Sequence, residues 1–214
     1  MVMKTFKVFL IVLFSLFCVN LNAQFFVGGN LKFNTSNHKT DDGTTTTQET
    51  SNYSFDLSPE VGKFLSEKFA IGFAFDISLS RGKTGVTTET ITNSSTIGGS
   101  PFLRYYAIKW DKFSVFGQGN IGLEFSNSSV KTGGSTTDGP KITRSYINIY
   151  PGLSYDISDK LSLETSLNIL SFGYYYVTTK DGSLKGKTSG FNIGTGLDNI
   201  VSFNAITIGA IYKF

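Results

Sequence analysis

The stretch Phe69-Ala70-Ile71-Gly72-Phe73-Ala74-Phe75-Asp76-Ile77-Ser78-Leu79-Ser80 decides the fold. Its odd positions are all large and apolar. Its even positions are Ala, Gly, Asp and Ser. A helix would spread both sets around its circumference, whereas a strand sends them to opposite faces. The same alternation runs through Gln24–Asn34, Tyr53–Phe64, Ile97–Ile108, Phe113–Ser126, Ser145–Ile157, Leu161–Ile169 and Ile206–Phe214. Together these segments make about eight strands.

The polar face tells where the strands lie. A sheet facing water needs many Lys, Glu, Asp and Arg on its wet side. Here that side is Gly, Ser, Asn and Ala with scattered charges, a composition suited to the crowded interior of a narrow barrel. The other side carries Phe, Ile, Leu and Val over about ten residues per strand, the span of a tilted strand in a bilayer. Trp110, Phe113, Phe69, Tyr174, Tyr175 and Tyr176 supply aromatic girdles near the strand ends.

The connections alternate in length. Leu65–Lys68, Lys109–Lys112 and Ser158–Lys160 are tight, while Thr35–Asn52, Arg81–Thr96, Asn127–Lys141 and Val177–Ser189 are long and low in complexity. Short turns at one end and long polar loops at the other belong to outer-membrane barrels. The sequence thus predicts an all-β fold, an eight-stranded antiparallel up-and-down transmembrane β-barrel with three short periplasmic turns and four longer outer loops. Gly190–Val201 reads either as an extension of the last strand or as a separate piece. A hairpin module recurs, with Pro59, Pro101 and Pro151 each ahead of an acidic-Lys turn. Proline removes a ladder donor, so bulges, or donor positions that tolerate the loss, are expected there.

Lys4 and Lys7, the apolar run Val8–Val19 and the ending Leu21-Asn22-Ala23 have the order of a cleaved secretory signal. Residues 1–23 are therefore predicted to leave and 24–214 to form the barrel domain. The one cysteine, Cys18, lies in the leader behind Phe17, too bulky a neighbour for lipoprotein processing, so the mature chain has no disulfide to hold it. The leader holds two lysines and no acid, so its loss takes the formal charge from +3 to +1. That balance leaves no strong overall field for nucleic acid or anionic lipid.

Catalytic constellations are absent from the sequence. The single histidine, His38, falls in the first long loop, with no Ser or Asp partner placed for nucleophile chemistry. No His/Cys cluster suggests a metal, and Asp41-Asp42-Gly43 reads as a turn rather than a calcium loop. No cofactor is expected, and the chain is not expected to be an enzyme. By parity, Lys32, Asp56, Glu60, Asp76, Arg104, Glu124, Asp156, Glu164 and Lys213 face inward. Glu60, Arg104 and Glu164 each stand about five or six residues from a short turn, so at ~3.3 Å per residue they share a level and Arg104 can bridge the two acids. A salt-bridged structural plug and a gate or proton path are the two readings of that cluster. The plug suits an interior that side chains fill.

The end of the leader, Asn22-Ala23-Gln24, the run Ser100-Pro101-Phe102-Leu103-Arg104-Tyr105-Tyr106 and the closing Ile208-Gly209-Ala210-Ile211-Tyr212-Lys213-Phe214 resemble the small outer-membrane β-barrel domain proteins of Bacteroidetes-type bacteria, within the wider OmpA/OmpX-like eight-stranded group. The resemblance implies the outer membrane of the cell and the barrel fold, and brings no catalytic residue. Tyr212 and Phe214 look like the C-terminal aromatic signal read by barrel-assembly machinery. Partners expected on this reading are outer-membrane lipid, that machinery, and an extracellular protein or glycan met through the loops. A structural or interaction barrel is favoured; an enzyme acting on lipid or peptide and a narrow small-solute channel are the alternatives. Unboiled and boiled samples should migrate differently on a denaturing gel; identical migration would count against a closed barrel.

Overall fold

In lipid, backbone groups find partners only in other backbone, so each alternating strand must pair along both edges. The computed structural model describes residues 24–41, 46–85, 88–167, 171–194 and 206–214, and every strand pairing in it is antiparallel. The leader predicted over residues 1–23 lies outside the described residues. The strands are β1 Phe25–Asp41, β2 Thr46–Phe64, β3 Phe69–Thr84, β4 Thr90–Trp110, β5 Phe113–Thr132, β6 Ser135–Asp138, β7 Lys141–Asp156, β8 Leu161–Leu167, β9 Ser171–Asp181, β10 Leu184–Gly194 and β11 Ile206–Lys213.

Eight of these form a ring. The pairings run β1–β2–β3–β4–β5–β7–β8–β11 and return from β11 to β1 through Phe26↔Lys213 to Leu31↔Ile208. The count is higher than the eight strands expected, for two reasons. β6 is a short return strand at the tip of β5. The seventh and eighth ring positions are each in two pieces, β8 with β9 and β10 with β11; β7 pairs with β8 over Gly152–Asp156 and with β9 over Lys141–Ile149. Only Tyr150 and Pro151 separate these blocks on β7, while five residues lie between Ser166 and Phe172. The odd surplus reverses the parity. Leu163 faces out on β8, but Phe172, Tyr174 and Tyr176 face out on β9, and Tyr175 turns inward away from the girdle assigned to it. Residues 190–194 belong to β10, paired with β9, and the rest of the ambiguous 190–201 segment lies outside the described residues. Above Leu31, no pairing joins β1 to β10 among the described residues.

The short turns stand at 65–68, 111–112 and 157–160. Asp111 takes φ of 51°, a left-handed value that Asp tolerates, which lets the link between β4 and β5 close over two residues. The regions read as long loops are largely strand. Their Thr residues are β-branched and pair well across neighbouring strands, as Thr90 of one outer hairpin does with Thr132 of the next at 3.1 Å. Ser51 likewise donates to Asn37 at 2.6 Å. The tips are short, with Gly133, Gly134 and Gly182 supplying left-handed φ values of 57°, 89° and 56°.

Pro59 and Pro101 cause no register shift, whereas the change of register from β8 to β9 along β7 falls at Pro151. Pro59 pairs with Gly29, Pro101 with Phe73 and Pro151 with Gly117. On the other edge the ladder skips them and resumes in the same register for Pro59 and Pro101. Each proline thus turns its missing donor toward one neighbour only. A true bulge lies elsewhere, between Tyr106 and Ile108.

Inside, large rings lie across glycines of the neighbouring strand. The directly paired residues Phe26↔Gly62, Gly72↔Phe102, Phe116↔Gly152, Gly122↔Tyr146 and Tyr175↔Gly190 all have this form. A Cβ at each of these glycines would collide with the ring. The interior is thus not lined by small residues alone, as composition suggested; a small residue on one strand makes room for a ring on the next. Gly152→Ala should destabilise the barrel by about 1–3 kcal/mol by overpacking, and Phe116→Leu in the same chain should recover part of that loss. Urea unfolding in lipid vesicles measures both, and an unchanged midpoint for Gly152→Ala would show that the ring does not hold this place.

Candidate functional site

Strand parity sends Glu60 of β2, Arg104 of β4, Gln118 of β5 and Glu164 of β8 into the interior, where a charge must be met by its opposite and by hydrogen bonds. The structure brings them together. Arg104 Nη1 lies 2.7 Å from Glu164 Oε2, and Nη2 lies 3.2 Å from Glu60 Oε1. Nε donates to Gln118 Oε1 at 2.7 Å. Tyr106 donates to Glu164 Oε1 at 3.3 Å. Gln118 Nε2 extends the network to Tyr150 Oη at 2.8 Å and Asn120 Oδ1 at 3.0 Å. Arg104, Glu60 and Glu164 are 3%, 4% and 6% exposed. The guanidinium also lies 4.6 Å from the ring centre of Phe116, 5.3 Å from Phe102 and 5.9 Å from Phe26, positions that favour a cation over the ring face. The arrangement is a crossbar spanning four of the eight ring strands.

The remaining inward charges lie above and below it. Toward the outer end, Asp76 accepts from Ser58 at 2.9 Å and from Tyr146 at 3.3 Å, and Ser78 donates to Asp56. Arg144 meets Glu124 at 3.5 Å and lies over Tyr146 and Tyr175. Toward the turns, Lys213 meets Asp156 at 2.8 Å, and Ser162 donates to the same carboxylate. A cavity of about 40 Å³ opens beside this pair at the turn end. Above the crossbar, a polar vestibule of about 560 Å³ is lined by Lys32, Asn34, Asn52, Ser54, Ser80 and Thr92, among others. Lys32 is engaged within the fold.

Among the described residues, no group of three His, Cys, Asp or Glu could hold a metal. His38 is exposed on β1 and lies 3.2 Å from Thr40 Oγ1, away from the interior acids. Sequence reasoning missed Gln118, Tyr106 and the three Phe rings as partners of Arg104. Their inward parity was readable, but parity does not say which inward groups meet.

The outward surface is a lipid surface. β3 presents Phe69, Ile71, Phe73, Phe75, Ile77 and Leu79 before Arg81 ends the apolar run. At the turn end, aromatic pairs band the outside, with Phe69–Tyr105 at 4.8 Å, Phe113–Tyr155 at 4.7 Å and Tyr212–Phe214 at 5.3 Å, while Trp110 is 80% exposed. Rings at this level suit the boundary between hydrocarbon and headgroup.

No family model matches the chain, and no curated protein matches it. Solved structures similar in arrangement include Neisserial surface protein A, with 18% identity and TM-score 0.35, covering 90% of this chain and 96% of that one. A major outer membrane protein from Thermus thermophilus has 10% identity and TM-score 0.45, covering 90% and 99%. Outer Membrane Protein W of E. coli has 13% identity and TM-score 0.42, covering 90% and 98%. At this level of likeness the fold assignment rests on the chain's own strand pairings.

Removing one partner of a buried ion pair leaves charge without compensation, at a cost of about 3–5 kcal/mol. Arg104→Ala should lower the unfolding temperature accordingly, whereas Arg104→Met combined with Glu60→Gln and Glu164→Gln should recover most of the loss. Calorimetry of the refolded barrel decides; equal stability of Arg104→Ala and the unaltered chain would show that the crossbar does not brace the ring.

Proposed function

We propose that this chain is an outer-membrane barrel of structural or interaction type, closed through its middle by the Arg104 crossbar and acting through the hairpins above the membrane. The crossbar carries the reading. A buried guanidinium tied to two carboxylates, with three rings around it, occupies the cross-section a solute would need. Placement in the outer membrane is supported by the apolar outward band, by short turns at one end against long hairpins at the other, and by Tyr212 and Phe214 closing the last strand on the lipid face. That aromatic end is the feature assembly machinery would read. The affiliation with Bacteroidetes-type barrel proteins rests on the sequence resemblance alone. No catalytic role is proposed: His38 has Thr40 as its neighbour on an exposed strand, and the interior acids face cations or hydroxyl groups.

The paired Thr/Ser/Asn-rich hairpins offer a polar surface to an extracellular protein or glycan, where loops on a rigid scaffold carry binding. In planar bilayers the purified barrel should give no stable conductance, and Arg104→Ala should open none. A large steady pore from the unaltered chain would overturn the closed-lumen reading. Replacing all four outer hairpin tips by short Asn-Gly turns should abolish surface binding while the barrel still inserts; binding that survives would place the function elsewhere.

A further inference from the structure

Four lysines stand together on the outward face where β7, β9 and β10 leave the apolar band. Lys141 pairs directly with Lys180, and Lys180 pairs directly with Lys185. Lys187, two residues along β10 from Lys185, sits opposite Thr178. All four are exposed. Their parity on the outside follows from the same strands, since Tyr174, Tyr176, Phe191 and Ile193 lie in register with them and are exposed. Neighbouring strands are about 4.8 Å apart, so three ammonium groups rise from one rung at close spacing. Like charges directly opposite in a sheet are destabilising. Among the described residues none of the four makes an ion pair, and the acids close to them along the chain, Asp138 and Asp181, are not paired with them. Lys83, by contrast, meets Glu89 at 2.7 Å.

A row of mutually repelling cations just above an aromatic, acyl-compatible wall is matched by one kind of occupant, an amphiphile with phosphate at the headgroup and hydrocarbon below. We propose that Lys141, Lys180, Lys185 and Lys187 form a binding ladder for a phosphorylated lipid of the outer leaflet, whose acyl chains lie against Tyr174, Tyr176 and Phe191. The inference rests on the outer-membrane reading above. Each phosphate bridges neighbouring lysines and turns the like-charge rung from a liability into an anchor. Soluble phosphate shares the headgroup chemistry but lacks the chains, so the proposal commits to the lipid.

The full barrel, refolded in zwitterionic micelles, is titrated with a bis-phosphorylated acylated glucosamine disaccharide and bound lipid is counted by native mass spectrometry. Surface lysines near anionic lipid each contribute roughly fivefold in affinity, so Lys141→Gln, Lys180→Gln and Lys185→Gln together should weaken retention by about a hundredfold. Lys68→Gln, Lys112→Gln and Lys160→Gln, which remove the same charge from the short turns, should leave it nearly unchanged. The ladder variant should also unfold at a higher temperature than the unaltered chain when no phosphorylated lipid is present, because the repulsion is gone. Equal loss in the turn variant, equal retention of the dephosphorylated lipid, or full displacement by inorganic phosphate would each overturn the proposal. A barrel that inserts and shifts on heating but shows no lipid preference overturns the ladder alone. A chain that never inserts overturns the outer-membrane reading with it.

Discussion

A guanidinium held in a dry interior constrains everything around it. Arg104 needs carboxylates from strands that lie far apart in sequence, Glu60 44 residues before it and Glu164 60 residues after it. Both can reach it only if the ring has the right circumference and every intervening pair keeps its register. A slip of one residue on β4 would turn Arg104 toward lipid and Leu103 toward the carboxylates. The ion pairs therefore specify the register of the ring more than they stabilise it, since desolvating three charges consumes much of what their attraction returns.

The glycine–aromatic pairs make the same space usable. Phe26, Phe102 and Phe116 surround the crossbar, and each lies over a glycine on the adjacent strand. Without those glycines the rings would stand off the wall and push into the Arg104 network. Small residues in this interior do not keep it empty. They set where large residues lie flat, so that charge and ring share a narrow section.

Much of this was legible in the sequence. Alternation over Phe69–Ser80 placed lipid and interior on the correct faces of β3, and counting from the short turns put Glu60, Arg104 and Glu164 at one height. The hairpins were obscured because Asn93-Ser94-Ser95 and similar runs have the low complexity of loops, while their pairing depends on partners on the neighbouring strands that composition does not show. Tyr175 was misplaced because its parity depends on an odd surplus of residues between Ser166 and Phe172, which becomes visible only when both are matched to β7. Gln118 stands directly opposite Arg104 on β5 and Tyr106 two residues along β4, but the bulge between Tyr106 and Ile108 hides this pairing, since an unbroken count from the turn would set Arg104 opposite Gly119.

Pro59, Pro101 and Pro151 give the wall a grain. Each stays paired with the strand it reaches through an outer hairpin and leaves a gap toward the strand it reaches through a short turn or the next ring position. The barrel is therefore a set of continuously bonded outer hairpins, β1–β2, β3–β4 and β5–β7, joined along lines where the ladder is already interrupted. Bending of the wall is therefore easiest at those interruptions, where two consecutive rungs are missing, and the prolines mark them.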